Sequence, residues 1–214
     1  MAKPKAGDLV RITFTGVLDS DQSVFESTDE GVARSSGIYS PQLPYGPRLV
    51  LFGRGFMIPG LEEGLSQLEA GQSARIGIPF EKAFGPKIPD LVRVMSEKQL
   101  ARGGVTPRAG QLLNIEGVQA RVKSVSSGRV VLDFNHPLAQ QNLTYHLNLL
   151  EVISDPMTKA KALGDEYQAV LQLEKKSGHI SVVVPKALEA GRARGLIAQL
   201  KASLGEEAQI QVES

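Results

Sequence analysis

Glu62 and Glu63 are adjacent carboxylates, and His136, His146 and His179 are the chain's three imidazoles. Paired carboxylates catalyse hydrolysis when they flank one bond from opposite sides, whereas neighbours just after Pro59 share the first turn of a helix and offset its dipole. The histidines are scattered and there is no cysteine. Thiolate ligation and disulfides are therefore excluded, and neither a metal centre nor a cofactor is expected. Gly53-Arg54-Gly55 and Arg102-Gly103-Gly104 follow no strand-then-helix phosphate context and serve turns. Glu26, taken alone, is a solvated carboxylate at a strand end. No nucleophile–base set is legible, so hydrolase and transferase chemistry is set aside.

The elements that must position any site are clearer. Leu9 to Leu18 alternates as a strand, and Ser23 to Glu26 returns across a turn at Asp19 to Gln22. Glu30 to Pro47, rich in Gly and Pro, is expected to be a long irregular excursion. Leu49 to Phe52 is a short strand. Leu61, Leu65 and Leu68 form one apolar face of a helix over Gly60 to Glu69, stopped by Gly71 and followed by a strand from Ala74 to Ile78. Beyond Gly85 the character changes: a helical turn at Ser96 to Leu100 precedes strands at Leu112 to Ile115, Val118 to Val125 and Arg129 to Phe134. Leu143 to Leu150 alternates as a half-buried strand with Tyr145 inward and His146 outward. Asp155 to Gly164 reads as a linker. Strands at Tyr167 to Leu173 and His179 to Val184, joined by the charged tip Glu174 to Gly178, a helix from Lys186 to Leu204 and a strand at Ala208 to Val212 complete a ββαβ lobe.

The 214 residues favour two or three lobes, and the near-balanced charge of +1 encodes no pull toward nucleic acid or an anionic membrane. Met1 to Gly7 has no apolar core of a leader, and no run approaches the roughly 18 apolar residues of a membrane span. A soluble cytoplasmic protein is expected.

Met57-Ile58-Pro59-Gly60-Leu61-Glu62-Glu63-Gly64, then Ala70-Gly71-Gln72 and Lys82-Ala83-Phe84-Gly85, resembles the active-site helix and following loop of the FKBP-type peptidyl-prolyl cis-trans isomerases. Thr13-Phe14-Thr15-Gly16 is similar to that family's first strand, where a tyrosine usually stands at Phe14, and Val24-Phe25-Glu26-Ser27 to its Phe-Asp-Ser segment. Asn135-His136-Pro137-Leu138-Ala139 and the lobe before it resemble the SlyD-type branch, in which an insert-in-flap chaperone lobe interrupts the loop. The long excursion and the extra C-terminal lobe are most similar to the long archaeal members. The histidine-rich tail of some bacterial SlyD proteins is absent, so nickel delivery is not expected.

The resemblance implies an α+β fold: an antiparallel sheet wrapped over a short helix, an inserted β domain and a C-terminal ββαβ domain. It divides the chain into residues 1–85 plus 140–154 for isomerisation, 86–139 for chaperoning and 155–214 as the last domain. It implies catalytic roles for Phe14, Phe25, Glu26, Ile58, Phe84 and Tyr145, with Met57 and Leu61 binding substrate. Leu61 replaces the tryptophan floor of the small eukaryotic members, which implies a wider pocket and weak macrolide binding. Val92, Val94, Met95 and Leu100 are expected to be exposed and to hold unfolded or proline-containing clients. A homodimer through the C-terminal domain is left open. The rival reading is a chaperone that keeps the pocket's shape with little or no isomerase activity.

Overall fold

The computed structural model describes residues 2–176, 179–205 and 208–213. In chain order these form β1 (Leu9–Leu18), β2 (Val24–Ser27), α1 (Glu30–Ser35), β3 (Arg48–Leu51), α2 (Pro59–Gln67) and β4 (Ser73–Ile78). Then come β5 (Val92–Ser96), α3 (Glu97–Arg102), β6 (Leu112–Ile115), β7 (Val118–Ser126) and β8 (Arg129–Asp133). The chain ends with β9 (Leu143–Ile153), α4 (Pro156–Glu166), β10 (Gln172–Lys176), β11 (His179–Val184), α5 (Ala190–Leu204) and β12 (Ala208–Val212). It packs as two compact units, residues 1–79 with 142–214 and residues 80–141. The class is mixed α/β with mainly antiparallel sheets.

The first unit is organised on β1 and β9. They pair antiparallel from Leu9↔Ile153 to Leu18↔Leu143, and β4 covers the other edge of β9. β1 is long enough to pair twice on its remaining edge: Leu9 to Ile12 takes β3, and Thr15 to Val17 takes β2. On β9, Leu143, Tyr145, Leu147 and Leu149 are buried while His146 and Asn148 are exposed, the two-residue period of a one-sided strand. Thr144 is also buried because its hydroxyl donates to Asp19 Oδ1 at 2.7 Å.

Helix α2 starts at Pro59, whose missing N–H costs nothing at a first position, and it buries Leu61 and Leu65. A Cβ on Gly60 or Gly64 would lie 2.3 Å from Ile78 or Ile76 of β4. The helix can approach that strand only because both positions lack a side chain.

The expected linker at Asp155 to Gly164 is instead helix α4. Asp155 caps it, accepting from the N–H and hydroxyl of Thr158 at 2.8 and 2.7 Å, with Pro156 at the first position. Its lysines gave the segment a solvated look, yet Lys159 is buried, donating to Gly7 O at 2.7 Å and lying 3.5 Å from Asp8 Oδ1. The expected strand at Tyr167 to Leu173 starts later, because Tyr167 ends α4 and Gln168 turns the chain with φ 53°. β10 and β11 pair antiparallel, β12 joins β11 in parallel, and α5 is the connection that a parallel pair requires. The Ser177-Gly178 part of the expected tip lies outside the described residues. Helix α5 begins at Ala190 rather than Lys186, where Glu189 accepts from the N–H groups of Gly191 and Arg192.

One apolar core joins Leu9, Leu51 and Ile153 to Ala160, Leu163, Val182, Leu196 and Leu200. Each leucine there, withdrawn from water, contributes roughly 1.5–3 kcal/mol. The face of α5 that carries Leu196, Leu200 and Leu204 is thus buried in this core.

The second unit is a four-stranded antiparallel sheet ordered β5-β8-β7-β6. Its core is Leu100, Leu113, Ala120, Val122, Val130 and Leu132. Strand β5 was hidden in sequence by the proline-rich approach to it. Asn135 closes the neck: Ile88 N–H donates to its Oδ1 at 2.8 Å, and its Nδ2 donates to Ile88 O at 3.1 Å and Asp133 Oδ1 at 2.8 Å.

Candidate active site

Three strands converge at Gly16, whose Cα partners are Glu26 on β2 and Tyr145 on β9. The absent side chain is required, since a Cβ there would lie 2.6 Å from Phe25 Cζ. The Phe25 ring therefore settles over the strand and meets Tyr145 edge to face, with centroids 5.8 Å apart at 85°. Phe14 also meets Tyr145, tilted at 60° with centroids 5.9 Å apart. Tyr145 is only 2% exposed, and its hydroxyl donates to Glu26 Oε1. Burial first, then the charge and hydrogen bond of Glu26, push the phenol above its ordinary range, so it stays a donor.

Thr28 fixes Phe14 from behind. Its buried Oγ1 accepts Phe14 N–H at 2.9 Å and donates to Phe14 O at 3.2 Å, while Thr28 N–H bonds the same carbonyl at 2.9 Å. Neither Thr28 nor Gly16 was singled out in sequence as a site residue. A glycine that lies opposite Glu26 on one strand and Tyr145 on another has no linear signature.

Phe14, Phe25 and Glu26 open onto a cavity of about 160 Å³ whose far wall includes Ile38, Tyr45 and Arg48. In the excursion expected at Glu30 to Pro47, Glu30–Ser35 forms α1 and residues 36–47 form no helix or strand, and side-chain contacts hold the segment. Asp29 caps α1 by accepting from Val32 N–H at 2.8 Å. Tyr39 stacks on Tyr45 at 5.4 Å and 12°, and the Arg34 guanidinium lies 3.6 Å over Tyr39. Glu30 holds Arg34 through two bonds of 2.9 and 2.6 Å. Ser40 N–H donates to Tyr45 Oη at 2.9 Å.

Met57 and Ile58 are half-buried at the entry to α2, and Leu61 is buried on it; none of the three lines that cavity. Ile58 is the cap residue, with φ −62° and ψ 145°, and its carbonyl accepts from Leu61 and Glu62. Among the described residues its own N–H has no hydrogen-bond partner. Glu62 does more than offset the helix dipole, since it accepts Gly55 N–H at 3.3 Å. Phe84 belongs to the second unit, where its ring stacks on His136 at 4.1 Å and 7°.

In the second unit Val94 is 63% exposed and Val92 and Met95 are half-buried, but Leu100 is core at 5%. Leu100 was expected on the surface; the helix α3 that carries it turns it inward. β5 alternation separates Arg93 and Met95 from Val92 and Val94. Met95 lines a groove of about 370 Å³ with Leu91, Arg93, Ile115, Val118 and Phe134. Apart from Met95, these groove residues were not picked out beforehand, because they gather from β5, β6, β7 and the strand ends.

Among the described residues no three His, Asp or Glu side chains gather as a metal ion would need, and no helix is long and apolar enough to cross a membrane.

Residues 1–100 match the family model described as FKBP-type peptidyl-prolyl cis-trans isomerase, and residues 93–138 match that described as FKBP26, IF domain. The chain is 31% identical over 148 residues to a short-type peptidyl-prolyl cis-trans isomerase of Methanocaldococcus jannaschii, covering 69% of this chain and 93% of the relative. It is 27% identical over 119 residues to the FKBP-type 16 kDa peptidyl-prolyl cis-trans isomerase of Escherichia coli K12, covering 53% and 78%. It is 34% identical over 90 residues to FK506-binding protein 1 of Saccharomyces cerevisiae, covering 42% and 67%.

Proposed function

The chain belongs to the FKBP-type peptidyl-prolyl cis-trans isomerase family and is a peptidyl-prolyl cis-trans isomerase, and we propose that its proline pocket is the box of Phe14, Phe25, Glu26 and Tyr145. The observation that carries this reading is the packing of two phenylalanine rings, Phe25 edge to face and Phe14 tilted, on a buried tyrosine whose hydroxyl is committed to Glu26.

Rotation about an X-Pro bond must break amide resonance against a barrier of roughly 18–20 kcal/mol, and it needs neither nucleophile nor proton donor. In the twisted amide the nitrogen becomes pyramidal and the carbonyl less polar. A dry aromatic enclosure then favours the twisted form over the planar, better hydrated one. Each ~1.4 kcal/mol of that preference is worth about tenfold in rate. The Phe25 and Tyr145 rings wall the proline, Leu61 and Met57 floor it from α2, and the unpartnered Ile58 N–H holds a peptide carbonyl.

The reading is tested by exchange NMR on a short Phe-Pro peptide. Phe25→Ala and Tyr145→Ala are each expected to lower kcat/KM by about tenfold or more while amide dispersion is retained. Undiminished exchange in both folded variants would move the pocket elsewhere.

The second unit is proposed as the client-binding lobe within residues 86–139, using the groove at Met95 and Phe134 with exposed Val94 beside it. Weak capture of an unfolded chain there raises the effective concentration of its prolines at the pocket, because both lobes share one chain.

A further inference from the structure

Arg48 opens β3 opposite Ile12 and contributes the guanidinium of the cavity that Phe14, Phe25 and Glu26 also line. Arg11 and Arg34 of this unit are spent on carboxylates: Arg11 pairs with Glu151 at 3.5 Å and Arg34 with Glu30 at 2.6 Å. Arg48 donates through Nη1 to Pro44 O at 3.4 Å, and among the described residues no carboxylate lies within 4.0 Å of it. A guanidinium carries five donors in a planar fork that matches a carboxylate, so most of its capacity is unspent. Glu26 lines the same cavity, but its carboxylate accepts from the Tyr145 hydroxyl and makes no ion pair with Arg48.

Apart from Ser27 and Thr28, the remaining walls are mostly ring and aliphatic surface, Phe14, Phe25, Ile38 and Tyr45 among them, which strengthens a charge-assisted hydrogen bond relative to open water. We infer that Arg48 is a specificity residue, giving this isomerase a preference for prolines flanked by an acidic side chain whose carboxylate it binds; this rests on the reading that Phe14, Phe25 and Tyr145 hold the proline ring. The cavity's volume of about 160 Å³ suits one such side chain rather than a folded surface.

The experiment compares matched tetrapeptides built on Ala-Ala-Pro-Phe, each non-proline position carrying Glu or Gln in turn, with the intact protein, Arg48→Gln and Arg48→Glu. At the favoured position the native protein should show a kcat/KM ratio of Glu to Gln of about five, shrinking as salt is raised. That ratio should fall to about one in Arg48→Gln and below one in Arg48→Glu, and the Glu peptide should shift the Arg48 Nε–H resonance where the Gln peptide does not. A ratio of about one at every position in the native protein, or one unchanged in Arg48→Gln, overturns the role of Arg48. If those peptides still shift the Tyr145 ring resonances, the pocket stands without it. If no peptide shifts them, pocket and preference fall together.

Discussion

The hydroxyl of Tyr145 on β9 crosses over β1 to bond the carboxylate of Glu26 on β2, so the two outer walls of the aromatic box are tied by one hydrogen bond above Gly16. The extra methylene of Glu26 over an aspartate supplies the reach. Phe14 has no hydroxyl, and the bond is drawn from the far strand instead.

Tyr145→Phe should therefore leave a part-buried carboxylate without its donor and cost about 1–3 kcal/mol of unfolding free energy. Glu26→Asp should cost less than Glu26→Ala but also lower turnover, because the shorter acid falls short of the phenol. The folded state raises the phenol's affinity for its proton, so this contribution is complete below the ordinary phenol value of 10.0 and is lost as pH rises beyond it. Urea unfolding from pH 8 to 11 (about the range that brackets that value) should show native stability declining more steeply than that of Tyr145→Phe.

Gly16→Ala should push its methyl into the Phe25 ring, costing about 1–3 kcal/mol and raising KM more than it changes kcat. Combining it with Phe25→Leu should recover stability, as read by thermal unfolding, without recovering turnover.

Lys159 and Asp8 form a buried pair between α4 and the entry to β1. Lys159→Ala should cost about 3–5 kcal/mol, because it strands a buried carboxylate, whereas Lys159→Met with Asp8→Asn should cost much less. Ending the chain at Ser154 should unfold the first unit outright by uncovering Leu9, Leu51 and Ile153. A well-dispersed NMR spectrum from that truncation would contradict the shared core.

Burial raises the Asp133 carboxyl, but the side-chain and backbone hydrogen bonds from Asn135, with help from Lys87 and Lys123, outweigh it and hold it below the usual range. The neck should thus be fully stabilised above the free carboxyl value of about 3.9 and weaken as pH falls further. Asn135→Ala should produce at neutral pH the faster Ile88 amide exchange that acid produces in the native protein.

Replacing Leu91 to Asp133 by a short linker should leave tetrapeptide isomerisation within about threefold, while catalysis on a refolding protein falls by tenfold or more, the scale expected when effective concentration is lost. Equal losses on both substrates would reject a division of labour between the lobes.

Much of the frame was legible. β1 and β9 announce themselves by alternation, α2 by its leucine spacing and Pro59, and the hairpins of the second unit by Glu116-Gly117 and Ser127-Gly128, all four of which adopt positive φ. Helix α4 was not, because a buried lysine looks like a solvated one until its partners at Gly7 and Asp8 are known. The start of β10 was misplaced because Tyr167 to Leu173 alternates well, and nothing local reveals that Gln168 turns back under α4. Phe14, Phe25, Glu26 and Tyr145 were pointed to by the family resemblance, and the fold brings the four together; the bond between Glu26 and Tyr145 was not legible, being a matter of reach across two strands. Leu100 was misjudged because an apolar residue in a short polar helix carries no mark of which way the helix faces.

The core that joins Leu9 and Leu51 to Leu163, Leu196 and Leu200 also sets an order of events during synthesis. β1 is made before its hydrogen-bonded neighbour β9 and its covering helices α4 and α5, with residues 80–141 coming between. With domains usually folding as units while the chain emerges, the first unit must wait until α5 has been made. Among the described residues, the strands of residues 80–141 pair with one another in their own sheet, so that sheet can form while β1 still lacks β9. The sheet that carries Phe14, Glu26 and Tyr145 is thereby built to close after the sheet of residues 80–141.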